Sequence, residues 1–103
     1  MTTRTLDHPS RSALELPAVL HALSDPTRLR IVAGLAAADD RTCGSFALPV
    51  TKSTCTHHFK VLREAGIIEQ RQEGTARLNT LRRDDLDARF PGLLATVLAA
   101  ATP

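Results

Sequence analysis

Apolar positions recur at helical spacing in several stretches, and polar or turn-forming residues separate them. Between Ala13 and Leu23 the apolar positions are Leu14, Leu16, Val19, Leu20 and Leu23. Pro17 belongs in a first turn, which moves the start of this helix toward Leu16. Ser24-Asp25-Pro26 opens a second helix, with Asp25 able to cap free N–H groups and Pro26 preset for the first helical position. Leu29, Ile31, Val32 and Leu35 carry this helix to about Ala38. Thr42 to Leu48 has room for a short helix only, closed before Pro49.

Thr51 then caps a helix that runs to Ala65, and Gly66 stands where glycine ends helices. Two extended segments follow, Ile67–Glu73 and Ala76–Leu81, joined by the turn residues Gly74-Thr75. Asp84-Asp85 opens a last helical region, interrupted by Pro91, in which Leu93, Leu94, Val97 and Leu98 form an apolar face. A short helix, a tight turn, a polar basic helix and a two-stranded ribbon predict a mainly α fold with a small β-hairpin, a winged helix-turn-helix. Residues 1–12 are polar and read as a flexible arm; residues 13–103 make one domain.

The helix after Thr51 carries the chemistry. On a wheel of 100° per residue, Cys55, Phe59, Leu62 and Gly66 lie within about 60° of one another, with Ala65 and His58 beside them. Ser53, Thr56, His57, Lys60, Arg63 and Glu64 take the opposite side. Hydroxyls, an imidazole and cations suit base edges and phosphates. Charge adds to this picture. Lys52 to Arg83 holds seven basic and three acidic residues, whereas the remainder of the chain has six basic and eight acidic. Such a concentration marks a polyanion-binding face. The candidate DNA-binding residues are therefore Lys52, Ser53, Thr54, Thr56, His57, Lys60 and Arg63 on the helix, with Arg71 and Arg77 on the hairpin. Thr54 lies toward the buried edge, His58 reads as a structural core histidine and Cys55 as a small core hydrophobe.

The chain has three Phe and no Trp or Tyr. This argues against single-stranded nucleic acid or RNA, where rings stack on bases. No glycine-rich phosphate loop, zinc-protease pattern or nucleophile–base pairing is present, so no enzymatic activity is expected. Met1 to Ser12 has no apolar core segment, and no apolar run approaches the roughly 20 residues that span a bilayer. These features predict a cytoplasmic protein without membrane association, its two cysteines reduced.

Ala22-Leu23-Ser24-Asp25-Pro26-Thr27-Arg28-Leu29-Arg30-Ile31 resembles the opening signature of ArsR-like (ArsR/SmtB) bacterial transcriptional regulators. The stretch from Ser53 to Ile68 resembles their recognition helix and its exit, and Glu73-Gly74 their wing; the likeness covers roughly residues 16 to 100. It implies a winged helix-turn-helix homodimer, paired through the first and last helices, that represses a promoter until an inducer relieves it. The dimer interface would use Leu16, Val19, Leu20, Leu93, Leu94, Val97 and Leu98, and two-fold symmetry would call for a pseudo-palindromic double-stranded operator. Two departures matter. The paired cysteines of arsenic, cadmium and lead sensors are absent, because Thr42 to Leu48 holds Cys43 alone. The ligands that zinc sensors place on the last helix are also absent, because Pro91 to Pro103 contains no His, Asp, Glu or Cys.

Other readings remain open at this level. Asp7-His8 on the arm supplies donors for a non-standard site taking nickel or zinc. His57-His58 has the tightest ligand spacing, but adjacent helical residues diverge. Cys43 beside Gly44 could serve a redox switch. A winged-helix module binding a protein partner is the alternative from a different class; the salt dependence of duplex binding separates it from a DNA-binding protein.

Overall fold

A computed structural model describes residues 3–38, 40–42, 45–46 and 50–101. Strand β1 (Thr3–Thr5) and a single 3-10 turn at Arg11–Ala13 precede α1 (Leu16–Leu23) and α2 (Pro26–Ala37). Helix α3 (Lys52–Glu64), strands β2 (Ile68–Glu73) and β3 (Ala76–Leu81), and helices α4 (Arg83–Arg89) and α5 (Leu93–Ala101) complete the order. The architecture is the expected mainly α winged helix-turn-helix. The short helix expected between Thr42 and Leu48, with Cys43, lies largely outside the described residues.

Local chemistry sets these boundaries. Asp25 accepts a hydrogen bond from the Arg28 amide at 3.0 Å, and Pro26 occupies the first position of α2. Leu14 precedes α1 rather than joining it, because Pro17 sits in the first turn, and its side chain is buried in the core. The core gathers Val19, Ala22 and Leu23 from α1, Ile31, Val32 and Leu35 from α2, and Cys55, Phe59 and Leu62 from α3. Ile67, Ile68, Leu81, Leu86 and Leu94 close it from the sheet and the C-terminal helices. Phe59 also meets Phe46, with ring centroids 5.7 Å apart, within the 4.5–7 Å range that favours tilted aromatic pairs. Cys55 is buried, as expected, but it is disulfide-bonded and not a reduced thiol.

Gly66 turns the chain from α3 into β2. Its φ is +83°, and an added Cβ would collide with the Leu14 side chain and lie 3.2 Å from Pro9 Cγ. Only glycine meets both the left-handed backbone and the close approach.

The sheet is three-stranded, in the order β1-β2-β3. The β2–β3 hairpin runs from Ile68↔Leu81 to Glu73↔Ala76, and β1 adds antiparallel to the other edge of β2, with Thr3↔Glu73, Arg4↔Gln72 and Thr5↔Arg71. Arg41 forms a bridge with Asn79 on the far edge of β3. Of residues 1–12, expected to be a flexible arm, the described part from Thr3 onward lies against the domain. Arg82 donates to the Pro9 carbonyl at 2.8 Å, Arg89 to the Leu14 carbonyl at 2.6 Å, and Arg11 pairs with Asp85 at 2.7 Å. Among the described residues no helix is long and apolar enough to cross a membrane.

Candidate nucleic-acid interface

Thr51 fixes the start of α3. Its Oγ1 accepts from the Thr54 amide at 3.2 Å, satisfying one of the free N–H groups of the first turn. Helical periodicity then divides the helix. Cys55, His58, Phe59 and Leu62 face the core, while Lys52, Ser53, Thr54, Thr56, His57 and Lys60 are exposed. Thr54, expected toward the buried edge, is exposed, and its hydroxyl accepts from Thr51 Oγ1 at 2.9 Å. Thr56 Oγ1 donates to the Lys52 carbonyl at 3.0 Å, which leaves its lone pairs for an outside donor.

A buried arginine positions this helix. Arg28 on α2 is 8% exposed. It donates through Nε to the Ala22 carbonyl at 2.6 Å, and through its two terminal nitrogens to the His21 carbonyl at 3.3 Å and to His58 Nδ1 at 3.2 Å. Arginine has no acceptor, so Nδ1 is the accepting nitrogen of His58. One side chain therefore ties the end of α1 and the face of α2 to α3. Asp25 stands 4.0 Å from the same His58 nitrogen. Its carboxyl is held below the ordinary carboxylate value, first by the hydrogen bond from the Arg28 amide, with the Arg28 charge adding to this.

Partners sort the basic residues between Lys52 and Arg83 into two groups. Arg63 is turned toward the base of the hairpin, where a terminal nitrogen donates to Gln70 Oε1 at 2.8 Å; its Nε is buried and has no hydrogen-bond partner among the described residues. Arg71 pairs with Asp40 at 2.8 Å and with Glu73 at 3.5 Å, and also donates to Thr80. Arg82 pairs with Asp85, and Arg83 donates to the Ala36 carbonyl at 2.7 Å. Lys52, Lys60 and Arg77 form the second group: they are exposed, and among the described residues they enter no ion pair. Among the described residues the Arg77 side chain makes a single contact, a 3.4 Å hydrogen bond from Nε to Gln72 Oε1.

Strand alternation explains the split on the hairpin. Ile68↔Leu81, Gln70↔Asn79 and Gln72↔Arg77 are successive rows of one sheet face. Its first two rows are buried, so Arg77 extends the core-facing side out to the tip. Arg71 belongs to the other face, with Asp40. The structure therefore brings Lys52, Ser53, Thr54, Thr56, His57 and Lys60 together and leaves Arg77 as the exposed cation of the hairpin. It does not bring Arg63 or Arg71 into that set.

Residues 23–71, from the end of α1 into β2, match a family described as a helix-turn-helix domain. Over 82 residues the chain is 34% identical to an uncharacterized HTH-type transcriptional regulator, YceK, of Bacillus subtilis (strain 168), an alignment spanning 77% of this chain and 82% of that protein. The chain belongs to the HTH-type transcriptional regulators.

The regulator's other expected surface is mixed. Leu16 is 41% and Leu20 47% exposed on α1, and Leu93, Val97 and Leu98 are half-buried on α5. Val19 and Leu94, expected on the same surface, belong to the regulator's own core at 1% and 5% exposure. The considered metal donors do not converge: among the described residues no three His, Cys, Asp or Glu side chains form a cluster. His57 is exposed and His58 buried. His8 Nε2 already accepts from the Gln70 amide at 2.8 Å.

Proposed function

We propose that this regulator binds duplex DNA sequence-specifically as a homodimer and acts as an ArsR-like repressor released by an inducer. The observation that carries the reading is the exposed N-terminal half of α3. Ser53, Thr56 and His57 there present hydrogen-bonding groups, flanked by Lys52 and Lys60, which among the described residues pair with no carboxylate. A helix entering the major groove offers its first turns to base edges. The accepting lone pairs of Thr56 suit the amino groups of adenine or cytosine, and His57 can donate or accept. Lys52, Lys60 and Arg77 would hold phosphates, assisted by free N–H groups at the helix start.

Dimerisation is supported by the exposed Leu16 and Leu20. Two shallow apolar hollows flank them, one lined by Phe90, Pro91, Gly92 and Leu93, the other by Leu23, Leu29, Val97 and Ala100. A second copy would cover both. Burying a leucine contributes about 1.5–3 kcal/mol, and a two-fold dimer would read a pseudo-palindrome.

The test begins by selecting a preferred site from a pool of random duplexes. The Thr56→Ala/His57→Ala double variant and the parent are then compared on that site and on a scrambled one. The double variant should lose about 1–3 kcal/mol of discrimination for each base contact removed and keep its helical circular dichroism. Unchanged discrimination by the folded double variant would overturn base reading by α3. A monomeric mass in sedimentation at micromolar concentration would overturn the dimer.

A further inference from the structure

The N-terminal strand is attached to the hairpin by a specific device. At the rung after β1, the Leu6 amide donates to the Gln70 carbonyl at 3.1 Å, as an antiparallel ladder requires. The return bond does not go to the Leu6 carbonyl. The Gln70 amide donates instead to His8 Nε2 at 2.8 Å. Gln70 is itself buried, with its side chain between Arg63 and Asn79. The histidine therefore closes the ladder onto a residue that α3 and β3 already hold.

The consequence lies at the other end of β1. The register sets Arg4 opposite Gln72, and Gln72 opposite Arg77. By backbone register Arg4 thus occupies the same sheet row as the hairpin cation that enters no ion pair among the described residues. We propose that β1 is a third strand of the DNA-contacting wing, docked by His8, and that Arg4 supplies a phosphate contact beside that of Arg77. This rests on the duplex-binding reading above and extends its footprint to the N-terminal segment.

The charges around His8 agree with the clasp. Burial lowers its pKa from the ordinary 6.5, with Arg82 and Arg63 acting in the same direction; a backbone hydrogen bond to Leu6 and the charge of Glu69 oppose them. Nε2 accepts only while unprotonated. The clasp is complete above pH 6.5 and weakens as pH falls through the lowered value.

Phosphate contacts are independent of sequence, so a labelled duplex of mixed sequence is a sufficient probe. The full chain and its Arg4→Ala, Arg77→Ala, His8→Ala and Arg4→Ala/His8→Ala variants are titrated against it by fluorescence anisotropy at several salt concentrations. Each phosphate contact contributes about 0.9 to the slope of log K against log salt. Arg4→Ala and Arg77→Ala should each reduce the slope by about that amount, equivalent to a roughly 3.5-fold smaller loss of affinity over a fourfold rise in salt. His8→Ala should match Arg4→Ala, the double variant should fall no further, and exchange protection of the Gln70 amide should drop. A reduced slope for Arg77→Ala with none for Arg4→Ala would overturn the third-strand assignment and leave the wing intact. A slope unchanged in both would overturn the wing contact itself, and the inference with it. Loss of Gln70 protection in His8→Ala with a full slope would overturn the clasp.

Discussion

Lys60 on α3 and Arg71 on β2 sit eleven residues apart in one basic stretch, yet they have different surroundings. Lys60 stands on a helix face with no carboxylate beside it among the described residues. Arg71 is closed into an ion pair with Asp40 and Glu73. On α3 one periodicity separates the buried side from the exposed side, and every cation on the exposed side of its first turns remains available. On the sheet, alternation sends neighbouring cations to opposite faces, and each face brings its own partners. A count of positive charge locates the region of an interface. The partner of each charge decides which cations can serve it.

The joint between the two regions gives the largest expected effect. Gly66→Ala would place a Cβ against Leu14 and force alanine into a left-handed backbone. The conformation costs roughly 1–2 kcal/mol and overpacking about 1–3 kcal/mol more. Chemical denaturation should show a loss of about 3 kcal/mol. A loss under about 1 kcal/mol would mean that Leu14 can move aside and that the angle between α3 and the sheet is loosely held.

Arg63 sharpens the comparison next, because it lies on α3 but serves the sheet. Arg63→Ala leaves Gln70 Oε1 without its donor, and a buried acceptor left unpaired costs about 1–3 kcal/mol. Stability should fall by that amount, while the salt slope of duplex binding stays that of the parent. A lowered slope would return Arg63 to the interface where its sequence position put it.

The helix cap has a comparable but smaller role. Asp25→Ala removes the acceptor for the Arg28 amide and should cost about 1 kcal/mol. Asp25 has a lowered pKa in the folded chain. Its contribution is present above the ordinary 3.8 and is lost as pH falls through the lowered value. The difference between parent and variant should therefore shrink in acid and persist at neutral pH. A difference that stays constant down to pH 2 would assign the effect to helix propensity alone.

The same contrast explains what could be read from the chain. The α3 boundaries follow from Thr51 and Gly66, and its faces from a 3.6-residue period; the hairpin follows from Gly74 between two extended runs. Strand β1 had no such signal. Three residues, Thr3–Thr5, are too few for a period, and their partners lie across the whole domain on β2. The role of Arg63 depends on Gln70, which reaches it only after the chain reverses at Gly66. The pairing of Arg71 with Asp40 depends likewise on a loop placed against the sheet by tertiary packing. The apolar faces of α1 and α5 do not by themselves reveal that the chain's own core takes Val19 and Leu94.

Arg71→Ala should have the smallest effect. Asp40 is 58% exposed at its side chain and Arg71 22%, so water screens the pair, and exposed ion pairs contribute about 0–1 kcal/mol. Arg71 holds the Asp40 carboxyl below its ordinary value, with the Thr80 hydroxyl assisting. The stability tied to that carboxyl is present above 3.8 and is lost as pH falls through the lowered value. Arg71→Ala should accordingly lower stability by less than about 1 kcal/mol at neutral pH, less still in high salt, and weaken the acid dependence. Its salt slope on a mixed duplex should equal that of the parent, because the arginine lies on the sheet face away from the Arg77 row. A slope reduced by about one unit would instead show that Arg71 exchanges Asp40 for a phosphate when DNA arrives. Both hairpin arginines would then belong to the interface, and the ion pair would be its resting state.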